Sequence, residues 1–189
     1  DQVGYEVPIT ADGERIAVEL GRHLGARLRT LHSSPLPRCT QTAEALKTGA
    51  GVDLPIVPDR LLGDPGIYVL DGELAWKNWQ RFGHAGVIQH LVSSDEPLEG
   101  MAVPSKAAKA LVDHMLSTAT DPGVHVFVTH DTLVLATAAR VLGVELGATD
   151  WPWFLEGVWF WGSGEALAGS FRSWYQVDPR QALGPSRPR

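Results

Sequence analysis

The chain has 189 residues and a mass of 20.5 kDa, with 44% hydrophobic and 20% charged residues, which suits one folded domain with a real core and excludes a disordered tail, a collagen or a coiled coil. Sixteen Lys and Arg against 22 Asp and Glu leave a net charge of -6, so no overall positive field draws the protein to nucleic acid or an anionic membrane, and any anionic ligand must be held locally. No run approaches the roughly 20 apolar residues of a membrane span, the start is not leader-like, and the single cysteine, Cys39, leaves no intrachain disulfide framework, so a cytoplasmic protein is the expectation.

Thr10 stands where a helix N-cap belongs, ahead of Ile16, Ala17, Leu20, Leu24 and Leu28 at helical spacing, and the pattern predicts a helix from about Ala11 to Arg27. Arg29 to His32 is too short for a helix and runs into Ser33, Ser34 and Pro35, so it reads as a buried strand ending in a turn. A helix over Arg38 to Thr48 closes at Gly49 and Gly51, and Pro55 to Val57 is a second short strand. From Leu61 to Glu99 the pattern weakens among Gly63, Pro65, Gly66 and Gly72, with Trp76 and Trp79 on a short helix; an inserted lid over about 61–100 is the expectation. Pro104 to Ser117 is a helix with Ala107, Leu111, Val112 and Met115 on one side. Val124 to Val128 suits a strand covered on both faces, followed by Thr129, His130, Asp131 and an Ala-rich helix over Leu133 to Leu142. Strands at Gly157 to Trp161 and Ser170 to Val177 precede a Pro-rich tail, about 179–189, expected to be mobile.

Helices alternating with short buried strands predict an α/β fold with a mostly parallel sheet in one domain. Ligands in such sheets sit beyond the carboxyl ends of strands. Ser33 to Arg38 and Thr129 to Asp131 both fall at such ends, which predicts one site. Arg38 opens a helix, where unpaired N–H groups and the dipole favour an anion, and a guanidinium adds a phosphate fork. Taken alone, Arg38 is no more than a solvated helix-start residue, and a His-Asp pair no more than a strand-end hydrogen bond.

The string Ser33-Ser34-Pro35-Leu36-Pro37-Arg38-Cys39-Thr40-Gln41-Thr42-Ala43-Glu44 closely resembles the second-arginine motif of the histidine phosphatase, or phosphoglycerate mutase-like, superfamily. Phe127-Val128-Thr129-His130-Asp131-Thr132 resembles the second-histidine motif, in the His-Asp-Thr form of the acid phosphatase and phytase branch, and Pro8-Ile9-Thr10-Ala11-Asp12-Gly13 is similar to the segment that opens the family's first helix. The resemblance implies a three-layer α/β/α fold and a small-molecule phosphate substrate cleaved through a phosphohistidine. It implies that Arg38, His130 and Ser34 hold the phosphate, that Asp131 protonates the leaving oxygen, and that no cofactor is needed. The family's nucleophile lies in an Arg-His-Gly motif on the first strand, and these 189 residues contain none; Arg22-His23-Leu24 lies inside the first helix.

Two readings follow. Either a longer parent carries the strand and nucleophile upstream of Asp1, as the missing initiator methionine suggests, or the protein keeps only an anion pocket for binding or regulation. A central strand left out would strand its neighbours' backbone groups, so a homodimer or another segment is expected to supply one. His32 is the residue to test as a substitute ligand or base. Tyr68, Trp76 and Trp79 are candidates to wall a substrate pocket, and the other Trp residues are core by default. His84, His90 and His114 lack metal-ligand spacing, and no metal is expected.

Overall fold

A computed structural model describes residues 5–163 and 166–172. The tail at 179–189, Trp174 and the 173–177 part of the last expected strand lie outside the described residues. The chain divides into two compact units, one holding residues 5–66 and 113–130, the other 67–112 and 131–172.

The first unit is built on three parallel strands. Strand β1 (Leu28–Ser33) lies between β2 (Ile56–Pro58) and β3 (Val124–Val128), with Ser33 opposite Pro58 on one side and Val128 on the other. The ladder continues past the strands: the Ser34 N–H donates to Val128 O at 2.9 Å and the Asp59 N–H to Ser33 O at 2.8 Å. The carboxyl ends of all three strands are therefore tied together. Residues of β3 are only half-buried, where cover on both faces was expected, and among the described residues nothing pairs with its outer edge.

Helix α1 (Ala11–Leu24) starts at Thr10, whose Oγ1 accepts from the Gly13 N–H at 3.0 Å. It ends three residues before the periodicity predicts, because Gly25 takes a positive φ of 51° and residues Gly25–Arg27 tighten into a 3-10 turn. Leu28, read from its spacing as helical, instead opens β1. Helix α2 (Pro37–Ala50) begins on Pro37, whose fixed φ suits a first helical position, and stops at Gly51 in the left-handed region. Gly49 stays inside it and faces α1 at the point where the two helices cross.

The second unit is mostly helical. Helix α3 (Gly72–Ser93) is capped by Asp71, which accepts from the Glu73 and Leu74 N–H groups, and is broken once at Gly83 (φ 66°). The segment expected to be weakly structured thus holds the longest helix of the described residues, since its apolar positions Ala75, Val87 and Leu91 face a core with Tyr68, Met101, Ala107, Ala108, Leu133 and Ala136. Helix α4 (Pro104–Thr118) contributes residues to both units, and α5 (Asp131–Leu142) belongs to the second. Strands β4 (Gly157–Ser163) and β5 (Ala166–Arg172) form a separate antiparallel pair; β5 begins four residues before the expected Ser170.

Candidate phosphate site

Three of the predicted site residues meet in the first unit. Ser34 follows β1 and is fully buried at 0% exposure, Arg38 lies in the first turn of α2, and His130 follows β3. The Arg38 Nη2 donates to His130 Nδ1 at 3.3 Å, and His130 Nε2 lies 3.0 Å from Ser34 Oγ. Arginine only donates, so Nδ1 must accept; a neutral ring then carries its proton on Nε2 and gives it to Ser34 Oγ. The side of the ring is lined by Cys39, whose Sγ lies 3.7 Å from Nε2 and 3.8 Å from Thr129 O. α2 has no side-chain cap, and the positive end of its dipole lies beside Arg38.

Asp131 opens α5 in the second unit, is exposed, and accepts from the Thr132 N–H at 2.8 Å. That exposure follows from its place at the first position of a helix whose buried face begins at Leu133. Tyr68 is a core residue rather than a pocket wall, 3% exposed, with its hydroxyl 3.1 Å from Thr137 Oγ1 and burial pushing its ionisation up to about 12. Trp79 is partly buried against the same core, whereas Trp76 is exposed at 60%.

His32, the candidate substitute, points elsewhere. Its ring stacks on Phe127, its register partner on β3, with centroids 4.8 Å apart. Nearby, His114 Nε2 meets Asp59 Oδ2 at 2.6 Å, and the His125 ring holds Thr30 Oγ1 at 2.9 Å and Asp121 O at 2.7 Å. Burial holds the His32 imidazole below its ordinary 6.5, with Asp59 opposing and His114 and His125 reinforcing the shift. A lowered folded-state value means the unfolded chain binds the proton more readily, so stability from His32 is present above about pH 6.5 and is lost as pH falls below it. His32→Phe, which keeps the stack, is expected to flatten the acid limb of thermal stability below about pH 6.5, where a full proton difference is worth about 1.4 kcal/mol per pH unit. Parallel acid limbs in mutant and wild type would refute this.

Among the described residues, no group of three or more His, Cys, Asp and Glu could hold a metal ion, and no helix is long and apolar enough to cross a membrane.

The model of the histidine phosphatase superfamily (branch 1) matches residues 2–153. The chain belongs to the histidine phosphatase superfamily. The matching model is that of branch 1, although the His-Asp-Thr string resembles the acid phosphatase form. Two solved structures of a mycobacterial glucosyl-3-phosphoglycerate phosphatase are similar to this superfamily member. One, in complex with VO3, is 20% identical with a TM-score of 0.55 over 89% of this chain and 87% of that one. The native structure is 19% identical with a TM-score of 0.53 over 89% and 88%. At these identities the likeness establishes the fold, an α/β fold of phosphoglycerate mutase type around a parallel sheet. No curated protein sequence matches the chain. Membership of the superfamily and the phosphatase neighbours support a phosphatase-type function.

Sequence reasoning passed over four residues in and around this site. Cys39 and Thr129 sit inside the two motif strings and were legible there; Gly63 was read only as loop punctuation, and Asp59, outside both strings, carried no signal.

Proposed function

We propose that the protein is a cytoplasmic, metal-independent phosphomonoester hydrolase acting on a small molecule through a phosphohistidine. The observation that carries this reading is the meeting of Arg38, His130 and Ser34 at tied strand ends beside the start of α2. That cluster offers a bidentate cation, an imidazole and the positive end of a helix to phosphoryl oxygens, whose charge spreads in the transition state. A nucleophilic histidine attacks phosphorus, the leaving oxygen departs with a proton from Asp131, and water then cleaves the phosphohistidine to release phosphate. The histidine comes in this reading from an Arg-His-Gly strand supplied by a longer parent chain or a second copy, laid along the open edge of β3. The mycobacterial neighbour, solved with VO3, supports a small phosphate ester as substrate.

A second reading, an anion pocket kept for binding or regulation, rests on the absence of Arg-His-Gly from these 189 residues. The two separate on one experiment. A protein carrying the upstream motif should hydrolyse p-nitrophenyl phosphate without added metal and yield a phosphohistidine on acid-free quench, whereas the 189-residue chain should turn over feebly, at best roughly 10³ to 10⁴-fold over water. Asp131→Asn should slow alkyl phosphates more than phenolic ones, because a good leaving group needs little protonation. Robust turnover by the 189 residues alone would reject the missing-nucleophile scheme, and phosphate binding without any phosphohistidine in the longer protein would favour the second reading.

A further inference from the structure

We infer that Asp59 is a positioning residue for His130, acting through the turn 59–63, and this rests on the reading of Arg38, Ser34 and His130 as a phosphate site. Asp59 is 9% exposed and sits immediately after β2, with its N–H on Ser33 O. Its two carboxylate oxygens hold two different things. Oδ1 accepts from the Leu61 N–H at 2.9 Å and so caps the 3-10 turn Arg60–Leu62, while Oδ2 meets His114 Nε2 on α4 at 2.6 Å. The turn is tied a second time at its far end, where Thr129 Oγ1 donates to Leu62 O at 2.6 Å.

The next residue is Gly63, and it lies against the site. A Cβ built on it would fall 2.5 Å from His130 Nε2, 2.6 Å from His130 Cδ2 and 2.6 Å from Ser34 Oγ. Backbone therefore forms one wall of the slot that holds the imidazole, with Cys39 forming another. An imidazole pressed between two walls cannot flip without moving one of them, and a ring flip exchanges Nδ1 with the Cδ2 position. The ring orientation that presents Nδ1 to Arg38 and Nε2 to Ser34 is thus set by where the 59–63 turn sits. That position depends on Asp59 at one end and Thr129 at the other. His114 keeps the Asp59 carboxylate from rotating away from Leu61.

Nitrogen-15 spectra of the His130 ring in the whole chain, together with inorganic phosphate titration, test this. Wild type should show a single Nε2–H tautomer. Asp59→Ala and Thr129→Val should each give a mixture of tautomers and weaken phosphate by roughly ten- to a hundredfold, the scale on which a catalytic or ligand-binding group misplaced by about 1 Å loses function. Asp59→Asn keeps an oxygen for the Leu61 N–H and should restore most of the wild-type spectrum. Thr129→Val is nearly isosteric and guards against Asp59→Ala simply failing to fold. A wild-type His130 spectrum in folded Asp59→Ala and Thr129→Val would overturn the proposal, whatever phosphate binding does. If wild type binds no phosphate but the ring still loses its single tautomer in both variants, the positioning role stands and the phosphate reading falls.

Discussion

Arg38→Ala is expected to weaken inorganic phosphate binding by roughly ten- to a hundredfold, since a hydrogen bond to a charged group contributes about 1.5–3 kcal/mol and about 1.4 kcal/mol is a factor of ten. The structure shows why this side chain should matter more than its neighbours. Arg38 brings the only formal positive charge among the three residues that meet, and it stands where the uncapped start of α2 already favours an anion. Arg38→Lys retains the charge and loses the fork, so it should fall between mutant and wild type. Ser34→Ala should cost less, because the hydroxyl is buried and already engaged by His130. Isothermal titration with phosphate or vanadate gives the ranking directly. Undiminished binding in Arg38→Ala would remove this residue from the site and with it the proposed hydrolase.

The joining of Arg38 and His130 was legible because two short apolar strands, each followed by a turn and a helix, predict parallel neighbours whose loaded ends coincide. The β1 and β3 register, Ser33 opposite Val128, delivers that coincidence. What the sequence hid was which way side chains face. Alternation would put His32 on one face with Ser34, but the strand ends at Ser33, and the structure stacks His32 on Phe127 while Ser34 meets His130. The helix behind the glycines of the expected lid region is longer than the sequence suggested for a related reason. Gly63, Gly66 and Gly72 looked like loop punctuation, yet Asp71 caps a helix right behind them, and Tyr68 finds a hydroxyl partner, Thr137, 69 residues away. Long-range partners of that kind leave no local signature. Gly63 itself is required by what it touches, and only the fold brings it to His130.

Gly49 is a second glycine whose role only the fold explains, and Gly49→Ala is expected to destabilise the protein by about 2 kcal/mol. Two effects oppose each other. In the last turn of α2, Gly49 should gain at most about 1 kcal/mol from alanine, the interior propensity difference. Against that, its new Cβ would fall 1.9 Å from Val18 O and 2.7 Å from Val18 C on α1, while across the same crossing a Cβ on Gly21 would fall 2.1 Å from Leu46 O. Every one of those obstacles is backbone, so no rotamer change relieves them and the helices must move apart. Overpacking of that sort costs about 1–3 kcal/mol and occasionally more, and a clash this deep belongs at or beyond the upper end, so packing wins over propensity. Gly72→Ala is the control: nothing lies within 4 Å of the added methyl, and the first position of α3 should tolerate or welcome it. Urea unfolding followed by far-ultraviolet circular dichroism measures both. Because α2 carries Arg38, a folded Gly49→Ala should also bind phosphate more weakly as the helix shifts off α1. A Gly49→Ala protein as stable as Gly72→Ala would mean that α1 and α2 do not meet backbone to backbone, and that the seat of Arg38 is set by something other than this crossing.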